Sequence, residues 1–214
     1  VRIAAAVATA ALAVAVAPAS ATDLHVRGNQ LIDGSRVVRL LGVDRSGLEY
    51  ACIQGGGFFS SPHPDTIDDP RMIAAMKSWD IDAVRVPLNE DCWLGLGTRP
   101  EYRGAPYRRI VVSYVRALNL ARLYVILDLH WAGAGGAARA TGQIPMADAA
   151  RAPAFWRSVA RTFKRDHALV FDLFNEPYGI SWRCWLRGCL VPAGGGRPAY
   201  RAAGTQALVD AVRS

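Results

Sequence analysis

The chain has 214 residues, of which 51% are hydrophobic and 20% charged, a balance that excludes an intrinsically disordered chain and allows a real core. Its net charge of +7 comes from 25 Lys and Arg against 18 Asp and Glu. The basic residues are scattered, with no basic run interleaved with aromatics, so nucleic acid is not expected as a partner and the charge reads as a solvated surface.

The first segment carries Arg2, then an apolar run from Ile3 to Ala17, then Pro18-Ala19-Ser20-Ala21. A short apolar run meeting small residues at 19 and 21 reads as a secretory signal peptide over residues 1–21, with cleavage before Thr22. Export makes the protein secreted and extracellular, leaves 24 basic against 18 acidic residues, and leaves no further stretch long enough to cross a membrane. Residues 22–214 form the remaining domain.

Leu24 to Val26 and Gln30 to Ile32, joined at Gly28-Asn29, predict a small hairpin, and Asp33-Gly34 turns the chain onward. Four short apolar runs then predict buried strands at Val38 to Val43, Ala83 to Pro87, Tyr124 to His130 and Val170 to Phe174. Between them, helical spacing covers Pro70 to Trp79, Pro106 to Arg122 and Ala154 to Arg165, with a fourth helix over Pro198 to Arg213. Asp68-Asp69-Pro70 announces the first, acidic caps followed by a proline that a first helical turn tolerates. The alternation of strand and helix predicts an α/β protein with a parallel sheet, either doubly wound or a (β/α)8 barrel. In both, the site lies beyond the strand C-termini, here the loops Gly47 to Asp65, Asn89 to Ala105, Trp131 to Ala147 and Tyr178 to Arg197. No Gly-x-Gly-x-x-Gly follows the first strand, so no dinucleotide cofactor is expected.

Cys52, Cys92, Cys184 and Cys189 are an even set in an exported chain and favour disulfides over a metal site. Three pairings are open; the short Cys184 to Cys189 segment could close on itself and leave Cys52 with Cys92.

The chemistry concentrates at the strand ends. Glutamate occurs only at Glu49, Glu90, Glu101 and Glu176, and Glu176 lies in Asn175-Glu176-Pro177 at the mouth of an apolar strand. Asp128 and His130 share one face of their strand, and Arg85 inside Val84-Arg85-Val86-Pro87 demands a carboxylate partner. Trp93, Trp131, Trp182 and Trp185 fall in loops where they could stack on sugar rings, whereas Trp79 and Trp156 fall on helices and read as packing residues.

Four segments together, Leu41-Gly-Val-Asp-Arg-Ser-Gly47, Val84-Arg-Val-Pro-Leu-Asn-Glu-Asp-Cys-Trp93, Val125-Ile-Leu-Asp-Leu-His-Trp131 and Phe171-Asp-Leu-Phe-Asn-Glu-Pro177, resemble glycoside hydrolase family 5, the cellulase-like enzymes of clan A. The resemblance implies a (β/α)8 TIM barrel of which about the first four βα units are present, and a retaining hydrolase acting on a β-glycan polysaccharide or oligosaccharide without a cofactor or metal. It implies Glu176 as the acid/base, Arg85 as support for the nucleophile, and His130 and Asn175 as sugar-binding residues; Trp93 and Trp131, from their loop positions, join these as candidate substrate-binding residues. Asp44 stands where the family commonly has Asn. The family's nucleophilic Glu ends the seventh strand, and roughly 190 mature residues fall short of the roughly 250 of a full barrel, so the nucleophile is not expected in this chain. Glu90 is the only local substitute, and it reads as a surface or structural carboxylate in a loop. The alternative is a non-catalytic, sugar-binding half barrel. Open edges on such a half would favour self-association.

Overall fold

The computed structural model describes residues 23–59, 69–136 and 138–214. The signal peptide read at 1–21, and the part of the first long loop over 60–68, lie outside the described residues.

A three-stranded antiparallel sheet opens the fold: β1 (Leu24–Arg27), β2 (Gln30–Asp33) and β3 (Arg36–Val38), in that order. The run read as one strand from Val38 to Val43 is two. Val38 still pairs with Leu31 in this sheet, and the parallel sheet begins only at β4 (Gly42–Asp44). Between them Leu41 hands its amide to Asp82 Oδ1 at 2.7 Å and its carbonyl to the Asp82 and Ala83 amides, so the chain changes sheets there. Gly42 is required at the crossing, because a Cβ would lie 2.1 Å from the Ala83 carbonyl oxygen.

The second sheet is parallel and runs in chain order: β4, β5 (Ala83–Asn89), β6 (Tyr124–Trp131) and β7 (Leu169–Asp172). Its register aligns Asp44, Arg85, Ile126 and Val170 in one row and Pro87, Asp128 and Asp172 in the row two residues further on. Because side chains alternate, the two faces differ. Val84, Val86, Leu88, Val125, Leu127 and Leu129 are fully buried on one face, and Asp44, Arg85, Asp128, His130 and Asp172 share the other.

Helices cover the apolar face. Asp69 caps α2 (Pro70–Lys77), accepting from the Arg71 amide at 2.9 Å, with Pro70 in the first turn as the sequence indicates. In α4 (Ala105–Leu120) Tyr107, Val111, Tyr114, Val115 and Leu118 form the buried stripe, and in α5 (Ala152–Thr162) Ala152, Phe155, Trp156 and Val159 do. Two short helices occupy what reads as loop, α1 (Ala51–Gln54) and α3 (Glu90–Leu94), and a third, α6 (Trp182–Arg187), follows β7. The final helix, α7 (Thr205–Arg213), starts later than expected. Residues read as its first turns instead form β9 (Tyr200–Arg201), paired antiparallel with β8 (Leu190–Val191), and Gly204 precedes the helix.

Both disulfides that the chain length of each loop favoured are present. Cys52–Cys92 ties α1 to α3, and so joins the segments after β4 and β5; Cys184–Cys189 closes the loop around α6. With separations of 40 and 5 residues, loop-closure entropy assigns them about 4 and about 2 kcal/mol.

Candidate active site

Arg85 is the centre of the polar face. Its Nε and Nη2 donate to Asp172 Oδ2 at 3.1 and 2.9 Å, Nη2 lies 2.9 Å from Asp128 Oδ2, and Nη1 reaches Asp44 Oδ2 at 3.3 Å. Four consecutive strands therefore contribute to one ion cluster, which is the partner that a buried arginine requires. Burial alone would lower the Arg85 pKa, but the charges and hydrogen bonds of Asp128, Asp172 and Asp44 outweigh it and the net direction is upward. The guanidinium is a fixed positive charge. Asp44, the departure from the family pattern, keeps half of its side chain in water.

His130 Nδ1 bonds Asp128 Oδ2 at 2.6 Å, which leaves Nε2 as the ring nitrogen not engaged by Asp128. Burial raises the Asp128 carboxyl to about 6, against the lowering effect of the His130 bond and the Arg85 charge. Burial would lower His130, yet the Asp128 hydrogen bond and charge carry it upward. Both shifts have the same consequence: the pair binds its proton more tightly than either group does in water.

Beyond β7 the Asn175 amide donates to the Leu129 carbonyl at 3.1 Å, carrying the ladder past the strand end. Asn175 is buried; its Oδ1 accepts from Arg85 Nη2 at 2.9 Å and its Nδ2 donates to Gln143 Oε1 at 3.1 Å. Gln143 Nε2 in turn donates to the Asn175 and Glu176 carbonyls, so one side chain grips two successive peptides. Glu176 follows in the left-handed region, at φ 45°, with its side chain exposed. A non-glycine residue held there costs of order 1 kcal/mol, and such strain concentrates at functional positions. Trp131 ends β6 half-buried, its ring 6.2 Å from that of Tyr50.

The structure thus brings Arg85, His130, Asn175, Glu176 and Trp131 to one end of the sheet and removes Trp93 from the set. Trp93 is fully buried in α3, packed on Phe155 at 6.0 Å and Phe163 at 6.5 Å, with Nε1 donating to Ser158. The helical turn after β5 points it into the core rather than out toward a ligand. Glu90 is likewise not in an open loop. It begins α3, fully buried, 3.2 Å from Arg151 Nε, and is structural. Trp156 packs as expected, donating to the Leu173 carbonyl at 2.9 Å, but Trp79 is 64% exposed just past α2. Trp182 and Trp185 sit on α6 in an edge-to-face pair at 5.8 Å, with Trp182 83% exposed. Among the described residues, no cluster of three His, Cys, Asp or Glu side chains could hold a metal ion, and no helix is long and apolar enough to cross a membrane.

Sequence reading missed two residues. Gln143 sits in a loop and takes its partners 32 and 33 residues away, so no local pattern marks it. Asn89, fully buried, caps α3 through the Asp91 and Cys92 amides at 2.8 and 3.2 Å and donates to the Glu49 and Ala140 carbonyls at 2.6 and 2.8 Å. Its signal was present, an Asn with two acids behind it at a strand end.

A parallel sheet whose one face carries an arginine among aspartates, and whose fourth strand delivers Asn-Glu-Pro, matches a known pattern. The family described as Cellulase (glycosyl hydrolase family 5) matches residues 49–214. The chain belongs to glycosyl hydrolase family 5. It is 27% identical over 164 residues to the endoglucanase MaCel5A of Microbulbifer sp. (strain ALW1), covering 74% of this chain and 27% of that protein. Among solved structures it resembles the β-glucanase SdGluc5_26A from Saccharophagus degradans, with a TM-score of 0.56, 21% identity, and coverage of 78% of this chain and 48% of that one. An endocellulase from Pyrococcus horikoshii solved with cellotetraose gives 0.53, 20%, 75% and 45%. At these identities the structural likeness shows the fold alone, a partial barrel of this family. The chain spans about half the length of these solved relatives, and about a quarter of the endoglucanase.

Proposed function

We propose that this chain carries the acid/base half of a retaining glycoside hydrolase site that acts on β-glucan, a secreted cellulase-like activity, with Glu176 as the proton donor. The observation that carries the reading is the Arg85–Asn175–Gln143 network, which holds Glu176 in a strained backbone conformation at the mouth of the sheet, exposed to a ligand.

In this reading Glu176 protonates the leaving glycosidic oxygen, and after the sugar is transferred to a carboxylate it takes a proton from the attacking water. Asn175 Nδ2 and His130 Nε2 are the polar groups for the hydroxyls of the cleaved sugar, and Trp131 offers a ring face. The Trp182–Trp185 pair, which starts six residues after Glu176 and exposes Trp182, extends the aromatic surface toward a longer chain of the polymer. Endoglucanase naming in MaCel5A and the cellotetraose in the Pyrococcus horikoshii structure favour a β-1,4-glucan as the class of substrate.

A second reading, sugar binding without turnover by these 214 residues alone, is favoured by the state of the other carboxylates. Glu90 is sealed beside Arg151, the Glu49 carboxylate accepts the Gly47 amide at 2.7 Å in a buried position, and Asp44, Asp128 and Asp172 all face Arg85. None is presented as an attacking group. The outer strands β4 and β7 of the parallel sheet would then favour self-association. Titration of the isotopically labelled chain with cellotetraose, followed by backbone NMR, tests the site. Shifts at His130, Trp131, Asn175 and Glu176, reduced in Asn175→Ala, are expected; perturbation confined elsewhere would refute the placement.

A further inference from the structure

Behind the site lies a second ionic cluster in which two buried carboxylate oxygens and the Arg151 Nε donor, an ion-pair neighbour of Glu90, make no hydrogen bond. Glu90, Asp91 and Asp148 are each fully buried. Glu90 Oε2 accepts from the Gly133 amide at 3.1 Å and lies 3.2 Å from Arg151 Nε. Both Asp91 oxygens are taken, Oδ1 by Arg151 Nη1 at 3.1 Å and Oδ2 by the Ala140 amide at 3.0 Å. Asp148 Oδ1 accepts from the Ala150 and Arg151 amides at 2.8 and 2.9 Å, which holds the turn leading into α5. Two carboxylate oxygens remain without a partner, Glu90 Oε1 and Asp148 Oδ2, and both side chains pack against Arg151, Glu90 at its Nε and Asp148 at its backbone amide.

Two ionised carboxylates cannot meet in a sealed space, since neither can donate and both repel. We propose that Glu90 and Asp148 share a single proton, forming a neutral–anionic carboxyl pair that fastens the loop after β6 and so positions Gln143 for its grip on Asn175 and Glu176. The proton supplies the missing donor, satisfying both orphan oxygens at once. It also balances charge. Three carboxylates with one proton carry two negative charges, and the facing cations are Arg151 and, at 4.0 Å from Asp91 Oδ2, Arg139. Burial and the adjacent Asp148 raise the Glu90 pKa well above its ordinary value, more than Arg151 and the Gly133 amide lower it, in the same direction as the geometry.

The fastening acts on backbone. Gly133 binds Glu90, the Ala138 carbonyl accepts from Arg151 Nη2 at 2.7 Å, and Ala140 is held from both sides by Asp91 and Asn89. The approach at Gly133 is so close that a Cβ there would lie 1.7 Å from Arg151 Nη2. Gln143 leaves this anchored stretch three residues later. Which peptide it positions rests on the function proposed above; the shared proton does not, and it is measured independently of any activity.

The sign of the pH dependence follows. A carboxyl whose folded pKa is raised contributes stability below its unfolded value and loses it as pH rises through the folded value, so the loop should loosen on the alkaline side. Infrared difference spectra of the purified chain at neutral pH are expected to show a protonated carboxylic acid band that disappears in both Glu90→Gln and Asp148→Asn. In the wild type, amide-exchange protection at Gly133 and Ala140 should fall about tenfold per pH unit once the proton leaves. In Asp148→Asn, whose amide donates permanently to Glu90, protection should stay level with pH, whereas Asp148→Ala should lose it at every pH. No acid band in the wild type would overturn the proposal, and so would an Asp148→Asn protein with the wild-type pH dependence. Should Asp148→Asn fail to fold, the wild-type spectrum beside Glu90→Gln decides alone.

Discussion

Two arginines in this chain each face three aspartates or glutamates, and the surroundings make the clusters opposites. Arg85, with Asp44, Asp128 and Asp172, lies on the open face of the sheet, where Asp172 and Asp44 side chains are 38% and 52% exposed. Water solvates Asp44 and Asp172 there, and the buried Asp128 pairs through Oδ2 with His130 and Arg85 while its Oδ1 has no partner. Arg151, with Glu90, Asp91 and Asp148, lies where all three acids are fully buried, and only a proton can make up the deficit. Similar ionic clusters are open in one place and sealed in the other, and solvent access sets their chemistry apart.

That contrast predicts unequal costs. Arg151→Met strands the buried Glu90 and Asp91 and should lower stability by about 3–5 kcal/mol, seen as a large drop in the urea midpoint. Arg85→Met leaves Asp44 and Asp172 able to reach water and Asp128 still paired with His130, and should cost about 1–2 kcal/mol by the same measurement. Equal losses would erase the distinction between the clusters.

The open cluster has its own pH signature. Asp128 is raised from 3.8 to about 6, so its contribution to stability is full below about pH 4 and lost as pH rises through 6. His130 is also raised, and its contribution is present below about pH 6.5 and lost above that. Asp128 makes stability fall between about pH 4 and 6, by on the order of 3 kcal/mol if it titrated alone, and His130 makes it fall further above about pH 6.5. Asp128→Asn removes one group and the partner of the other, so urea unfolding between pH 4 and 8 should show a flatter slope. An unchanged slope would place the titration elsewhere.

Smallest is the effect at the mouth. Glu176→Asn, a residue more tolerant of the left-handed backbone at φ 45°, should raise stability by less than about 1 kcal/mol, seen as a slight rise in melting temperature, while removing the carboxyl proposed as proton donor. A loss of stability would mean that the Glu176 side chain supports the fold.

Arg85, His130, Asn175 and Glu176 were legible in the sequence because each is a polar residue in or just after an apolar strand, and β periodicity fixes its face. The parallel order of the four strands was legible for the same reason. Trp93 was misread, since an aromatic four residues past a strand looks like a loop platform until the five-residue α3 turns it inward. Such a helix is too short to leave a periodic trace. The Arg151 cluster was unreadable because its members come from three segments, 90–91, 139 and 148–151, that only the folded loop brings together.

The central claim, that this chain presents the proton donor of a two-carboxylate site without presenting the attacking carboxylate, is tested most directly by turnover. The measurement is release of reducing sugar from soluble β-glucan by the purified 22–214 product beside its Glu176→Gln variant. Retention chemistry needs a second carboxyl about 5 Å from the first, so both proteins are predicted to give the same background rate. Turnover by the wild type about 10²-fold or more above the variant, the size of a general-acid contribution, would show that a second carboxylate does complete the site and would contradict the account.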